Sequence, residues 1–184
     1  QPLVTPYLGG LDVRDFSEYI AVNQNAVEDL KALAVQGLKL ADFDGDYYFE
    51  TDGLILISAE EVLALPDSGI LSYQDNKSVL SDSLENIKSV LPMLSERQLM
   101  SINCIQLDDQ STEVTFNALD FSIIDSVSPF SDIYSWSSHS GIEGVVNADF
   151  KPVSINIQDT LDELVLSGII DSRGVAISVN DDAI

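Results

Sequence analysis

With 31 acidic residues against eight Lys and Arg, the 184-residue chain carries a formal charge of −23, which argues against nucleic acid or an anionic membrane as partner. Its 45% hydrophobic content supports a real core and argues against wholesale disorder, and its length suits one large domain or two small ones. No apolar run reaches the roughly 18 residues a membrane-spanning helix needs, so membrane insertion is not expected. The single cysteine rules out an intrachain disulfide and a CxxC or His/Cys zinc site.

Residues 1–19 hold Pro2, Pro6, Gly9 and Gly10, followed by LDVRDFSEYI, and read as a lead-in with one short strand. The opening QPLVTPYLGG has no signal-peptide character, which fits either a mature end after cleavage or a piece of something longer. A first unit spans residues 20–76. Asn25 and Glu28 open a helix predicted near 25–36. Leu38 and Leu40 predict a strand near 38–42, stopped by Asp42, Asp44 and Asp46. LILIS at 54–58 is a second apolar run. Ser58 with Glu61 forms a capping box for a short helix in SAEEVLAL, and PDSG at 66–69 is a turn.

The second unit, residues 77–144, carries the clearest signal. Val79 and Leu80 precede Asp82, which is placed to cap a helix with Glu85 three residues on. Leu84, Ile87, Val90, Leu91 and Leu94 share one face, and Pro92 predicts a break near Leu91. Ile102, Cys104, Ile105 and Leu107 then form a β-like run stopped by Asp108 and Asp109, with Cys104 read as a small apolar core residue. TEVTFNALDFSII takes the place that LILISAEEVLAL holds in the first unit, Val114 and Phe116 matching Ile55 and Ile57. Residues 125–144, rich in Ser and aromatics, read as an inserted loop. GVVNADFKPVSINI returns to strand character and leads into a partial third unit, residues 145–184. There Asp159 and Asp162 open a helix, and Ile177 and Val179 form a strand before Asp181 and Asp182.

The cap positions 25, 82 and 159 lie 57 and 77 residues apart, each with an acid three residues on and a hydrophobic pair before it. This predicts a repeat; the competing reading is three ordinary helix–strand units of an α+β domain. The expected fold is a mixed α/β repeat protein, solenoid-like and elongated, in which short capped helices cover a stack of short strands.

Few residues carry chemistry. Asp42, Asp44 and Asp46 alternate around Gly45, and calcium takes six to eight oxygens. The EF-hand pattern wants Gly at its sixth position and Glu at its twelfth; here those are Tyr47 and Gly53, so the match fails. Asp108 and Asp109 form a second acidic turn. Calcium is the one cofactor these residues suggest, and solvated acidic turns are the competing reading. His139 lies in WSSHSG, but neighbouring positions in sequence do not give Ser–His geometry and no GxSxG occurs. An enzyme is therefore not expected. Tyr134 and Trp136, with His139, are candidates for binding a glycan or protein, or else anchor the loop to the body.

VNQNAVEDL, VLSDSLENI and INIQDTLDEL, together with SINCIQLDD and VAISVNDD, resemble the degenerate helix–strand repeats of large, acidic, cysteine-poor secreted bacterial surface proteins of adhesin-like and S-layer-like type. The resemblance covers residues 20–109 and 145–184. The glycine-rich nonapeptide calcium repeat that often accompanies such chains does not occur in the sequence. The resemblance implies a non-enzymatic extracellular structural or adhesive module of a cell-surface layer, sheath or filament. Its partners would be copies of itself or neighbouring repeats. Two alternatives stay open: a glycan- or protein-binding module using the 125–144 loop, and an acidic intracellular inhibitor mimicking nucleic acid. The apolar run at Val175, Ile177 and Val179 is expected to be covered by further sequence or to join another copy.

Overall fold

A computed structural model of the chain describes residues 11–13, 19–42, 45–49, 54–72, 77–126, 144–167 and 176–179. The chain repeatedly lays down two short strands and then a helix. The first group is β1 (Leu11–Val13), β2 (Tyr19–Val22) and α1 (Gln24–Val35). Next come β3 (Asp46–Phe49), β4 (Leu54–Ile57) and α2 (Ala59–Val62). β5 (Ile70–Ser72) and β6 (Lys77–Asp82) lead into α3 (Leu84–Val90), a 3-10 turn at Leu91–Met93, and α4 (Glu96–Met100). β7 (Cys104–Leu107), β8 (Glu113–Phe116) and α5 (Ala118–Ser126) follow. Finally come β9 (Val145–Val146), β10 (Ser154–Asp159), α6 (Leu161–Leu166) and β11 (Ala176–Val179).

These strands form three small sheets, ordered β1-β2-β3-β5, β4-β6-β7-β9 and β8-β10-β11, none closed into a barrel. Every pairing is parallel except β1 with β2, which is antiparallel. The fold is thus mixed α/β. Parallel neighbours need a crossover, and the short helices supply it.

Local chemistry explains most elements. In β4 and β8 exposed and buried residues alternate, so Ile55 and Ile57, and likewise Val114 and Phe116, point inward. In β6, Ser78, Val79 and Leu80 are all buried, as expected of a strand covered on both faces. α1 buries Ala26, Val27, Leu30 and Leu33, one stripe at helical spacing. It ends in a Schellman motif: Gly37, at φ 66°, donates to Ala34 O, and Leu38 N–H to Leu33 O. Ser58 and Glu61 form the expected capping box of α2. The break at Pro92 is the 3-10 turn. One contiguous cluster of buried side chains runs from Val22 to Leu164.

A buried polar seam joins successive groups. Asn103 Oδ1 accepts from Ser78 N–H at 2.9 Å, and Ser78 Oγ donates to Ser101 O. Ser101 Oγ accepts from Ile70 N–H at 2.7 Å, and Gln98 Nε2 donates to Leu65 O at 2.8 Å. Buried polar atoms carry a cost unless bonded, so these pairings select one arrangement of the strands around them.

Several expectations change. No strand forms over residues 38–42; Leu40 is buried and donates to Ala64 O, and the strand comes later, as β3. The Schellman turn sends the chain across the end of the helix first. The caps also move. Asn23, not Asn25, caps α1; Ser83, not Asp82, caps α3; Thr160, not Asp159, caps α6. In the last two, the acidic residue still belongs to the strand, and the hydroxyl after it is the first residue free to turn back onto the helix. α4 is an element the sequence reading does not include: Ser95 and Gln98 make a second capping box at its start.

Candidate functional site

Among the described residues the carboxylates form the most organised chemistry. Asp82 ends β6 and reaches the group before it. Its Oδ2 accepts from Ala59 N–H at 3.0 Å, the first residue of α2, while Oδ1 accepts from Ser83 N–H at 2.8 Å and Asn86 Nδ2 at 2.7 Å. Asp159 ends β10 and does the same. Its Oδ2 accepts from Ala118 N–H at 3.0 Å, the first residue of α5, and Oδ1 from Thr160 N–H at 2.8 Å. Each aspartate therefore bridges two helix starts. Partial burial opposes ionisation of Asp82, but the bonds from Asn86, Ala59 and Ser83, with the Lys31 charge, outweigh it and lower its pKa. The sequence signal for both clamps is present: Asp-Ser and Asp-Thr at a strand end, matched by Ser-Ala and Asn-Ala at the previous helix start.

Asp120, in the first turn of α5, is the one buried carboxylate among the described residues. Burial raises its pKa, the Lys88 charge pulls the other way, and Asp159 adds to the rise. Lys88 lies 5.3 Å from the centroid of the Phe116 ring and donates to Thr115 O at 2.6 Å. Tyr47 is buried too; desolvation, helped by the charge of Asp42, pushes its pKa up to about 12, and its hydroxyl donates to Ala41 O at 2.9 Å.

The residues marked for metal binding fall in two places. Asp42 is exposed and accepts from Ser68 N–H at 2.8 Å, and Asp46 starts β3 on the surface. Asp44 lies outside the described residues. Asp108 and Asp109 are exposed at the end of β7. Asp109 accepts from Ser111 N–H at 2.9 Å, and Ser111 lowers its pKa. Beside them, the turn at residues 147–151 is built on buried Asn147, whose Oδ1 accepts from the N–H groups of Asp149 and Lys151. Gln110 and Lys151 bond Asp149 and lower its pKa. Among the described residues no three His, Cys, Asp or Glu side chains gather to hold a metal ion. Tyr134, Trp136 and His139, with most of the 125–144 segment, lie outside the described residues, as do Asp181 and Asp182. Cys104 sits half-buried in β7, its Sγ donating to Gly144 O at 3.4 Å.

A shallow cleft of about 350 Å³ opens between the 3-10 turn, α4 and α5, lined by Leu91, Pro92, Leu94, Glu96, Leu99 and Ile123. Five of these six side chains are apolar, and Glu96 is the one titratable group of the lining among the described residues. Comparison with protein-family models, with curated proteins and with solved structures finds no match to this chain.

Proposed function

We propose that this chain is a non-enzymatic structural module of an extracellular layer, sheath or filament, built as a mixed α/β repeat whose strand pairs stack. One observation carries the repeat reading: every parallel pairing among the described strands has a counterpart four strands away, β1 with β2 being the one pairing without one. β2–β3, β6–β7 and β10–β11 are one parallel step; β3–β5 and β7–β9 are another; β4–β6 and β8–β10 a third. The register recurs as well. Ile20, Leu80 and Ile157, each three residues before a helix cap, pair with Tyr47, Ile105 and Ile177. The Asp82 and Asp159 clamps stand at equivalent places in this scheme. Stacked units bury their faces only against neighbours, which favours a scaffold over an enzyme. The surface-protein setting is supported by the −23 charge and by the resemblance of the helix–strand motifs. Sedimentation of the chain over a range of concentrations, salt and calcium tests it, with concentration-dependent association expected once charge is screened. A compact monomer under every condition overturns the scaffold reading.

A further inference from the structure

The edges of the three sheets are treated unequally. On β4, the Gln24 side chain imitates a neighbouring peptide, accepting from Leu56 N–H at 3.2 Å and donating to Leu56 O at 3.5 Å. On β8, Lys88 takes the equivalent carbonyl, Thr115 O. On β5, Ser101 takes the Ile70 N–H. On β9, Val153 N–H donates to Val145 O at 2.9 Å, and Pro152, which has no N–H, bridges Val146. Such guards are how sheets avoid unwanted pairing. β11 carries none among the described residues. Its equivalents are closed: Tyr47 and Ile105 are 1% and 0% exposed, against 36% for Ile177, and Phe49 and Leu107 are 0% and 2%, against 51% for Val179. Leu161, Val165 and Leu166 of α6, the helix between β10 and β11 in the chain, are exposed as well.

β1 is the irregular strand. In chain order it precedes β2 as β5 precedes β6 and β9 precedes β10. β5 and β9 pair in parallel with β3 and β7 of the preceding unit. β1 instead runs antiparallel along β2, on the side where β6 carries β4 and β10 carries β8. It occupies a position for which the rest of the scheme uses a different strand.

Resting on the repeat reading, we propose that the edge of β11 receives β1 of a second copy in parallel, so that copies add head to tail in one direction. The donor strand Leu11–Val13 leaves β2 and takes, on the neighbour's β11, the place that β5 takes on β3. By the register of Tyr48 with Leu71 and Gln106 with Val146, Asp12 lies opposite Ser178 of the receiving copy. The joint is heterologous and does not close, so it propagates. Copies of charge −23 repel, and the joint therefore needs screening.

The test uses the full chain with Cys104→Ser, carrying either Asp12→Cys or Ser178→Cys, mixed and oxidised in about 1 M NaCl, where charges are screened within a few ångströms. A disulfide between positions 12 and 178 is expected to dominate over 12–12 and 178–178 products. Ile177→Lys, with its fold checked by circular dichroism, is expected to weaken association about tenfold by charging the edge. Dominant 178–178 products mean a closed two-fold joint and overturn the proposal. Association without a 12–178 product overturns strand donation alone and leaves the scaffold reading standing. A monomer at every salt and calcium level overturns both.

Discussion

At the scale of single residues, the clamps are the most informative feature. Asp82 and Asp159 each hold two helix-start N–H groups, so Asp82→Ala and Asp159→Ala are both expected to cost about 1–2 kcal/mol in urea unfolding. Asn23→Ala is expected to cost about 1 kcal/mol and Asn25→Ala less, because Asn23 is the cap. The pH dependence has a definite sign. The pKa of Asp82 is lowered in the folded state, so its contribution is present above the unfolded value and lost as pH falls through the folded one. Asp120 is raised and behaves oppositely: folding favours its protonated form, and that contribution is lost as pH rises through the folded pKa. Asp120→Asn is therefore expected to stabilise the chain at neutral pH, with the gain shrinking on acidification. Urea midpoints at several pH values check this, and a gain that grows in acid contradicts it.

At the scale of elements, two glycines separate backbone strain from packing. Gly37 and Gly69 both have positive φ, 66° and 76°. A Cβ at Gly37 meets open space, whereas at Gly69 it runs into the Arg97 carbonyl oxygen of α4, where β5 packs closely. Gly37→Ala is expected to cost about 1 kcal/mol and Gly69→Ala roughly 2–4 kcal/mol. Equal costs in denaturant titrations would mean that α4 yields and does not fix β5. The same close approach explains why α4 matters: it supplies Gln98 and leads directly into Ser101 and Asn103, the polar side chains that tie β5 and β6 to their neighbours.

At the scale of the whole molecule, charge dominates. Thirty-one acids on 184 residues repel one another in the compact state, so thermal stability is expected to rise with sodium chloride. Calcium compared with sodium chloride at matched ionic strength tests the acidic turns. Asp42 and Asp109 already accept backbone N–H bonds. A rise specific to calcium supports defined sites, and equal rises mean screening alone.

What the sequence determined by itself was local. Alternation at Ile55 and Ile57 and at Val114 and Phe116, the Ser58–Glu61 capping box and the break at Pro92 depend on neighbours a few residues away, and each was legible. That LILISAEEVLAL and TEVTFNALDFSII each form an alternating strand and then a helix was legible for the same reason. Tertiary structure decided the rest. Leu38 and Leu40 look like a strand, but the turn at Gly37 carries them over the helix end and leaves strand formation to Asp46–Phe49. Asp82 looks like a cap, but whether it caps its own helix or clamps another depends on Ala59, 23 residues away in sequence. Which strands pair, and which edges stay open, is set by packing between segments that periodicity cannot connect, because a two-residue or 3.6-residue period carries no information about partners.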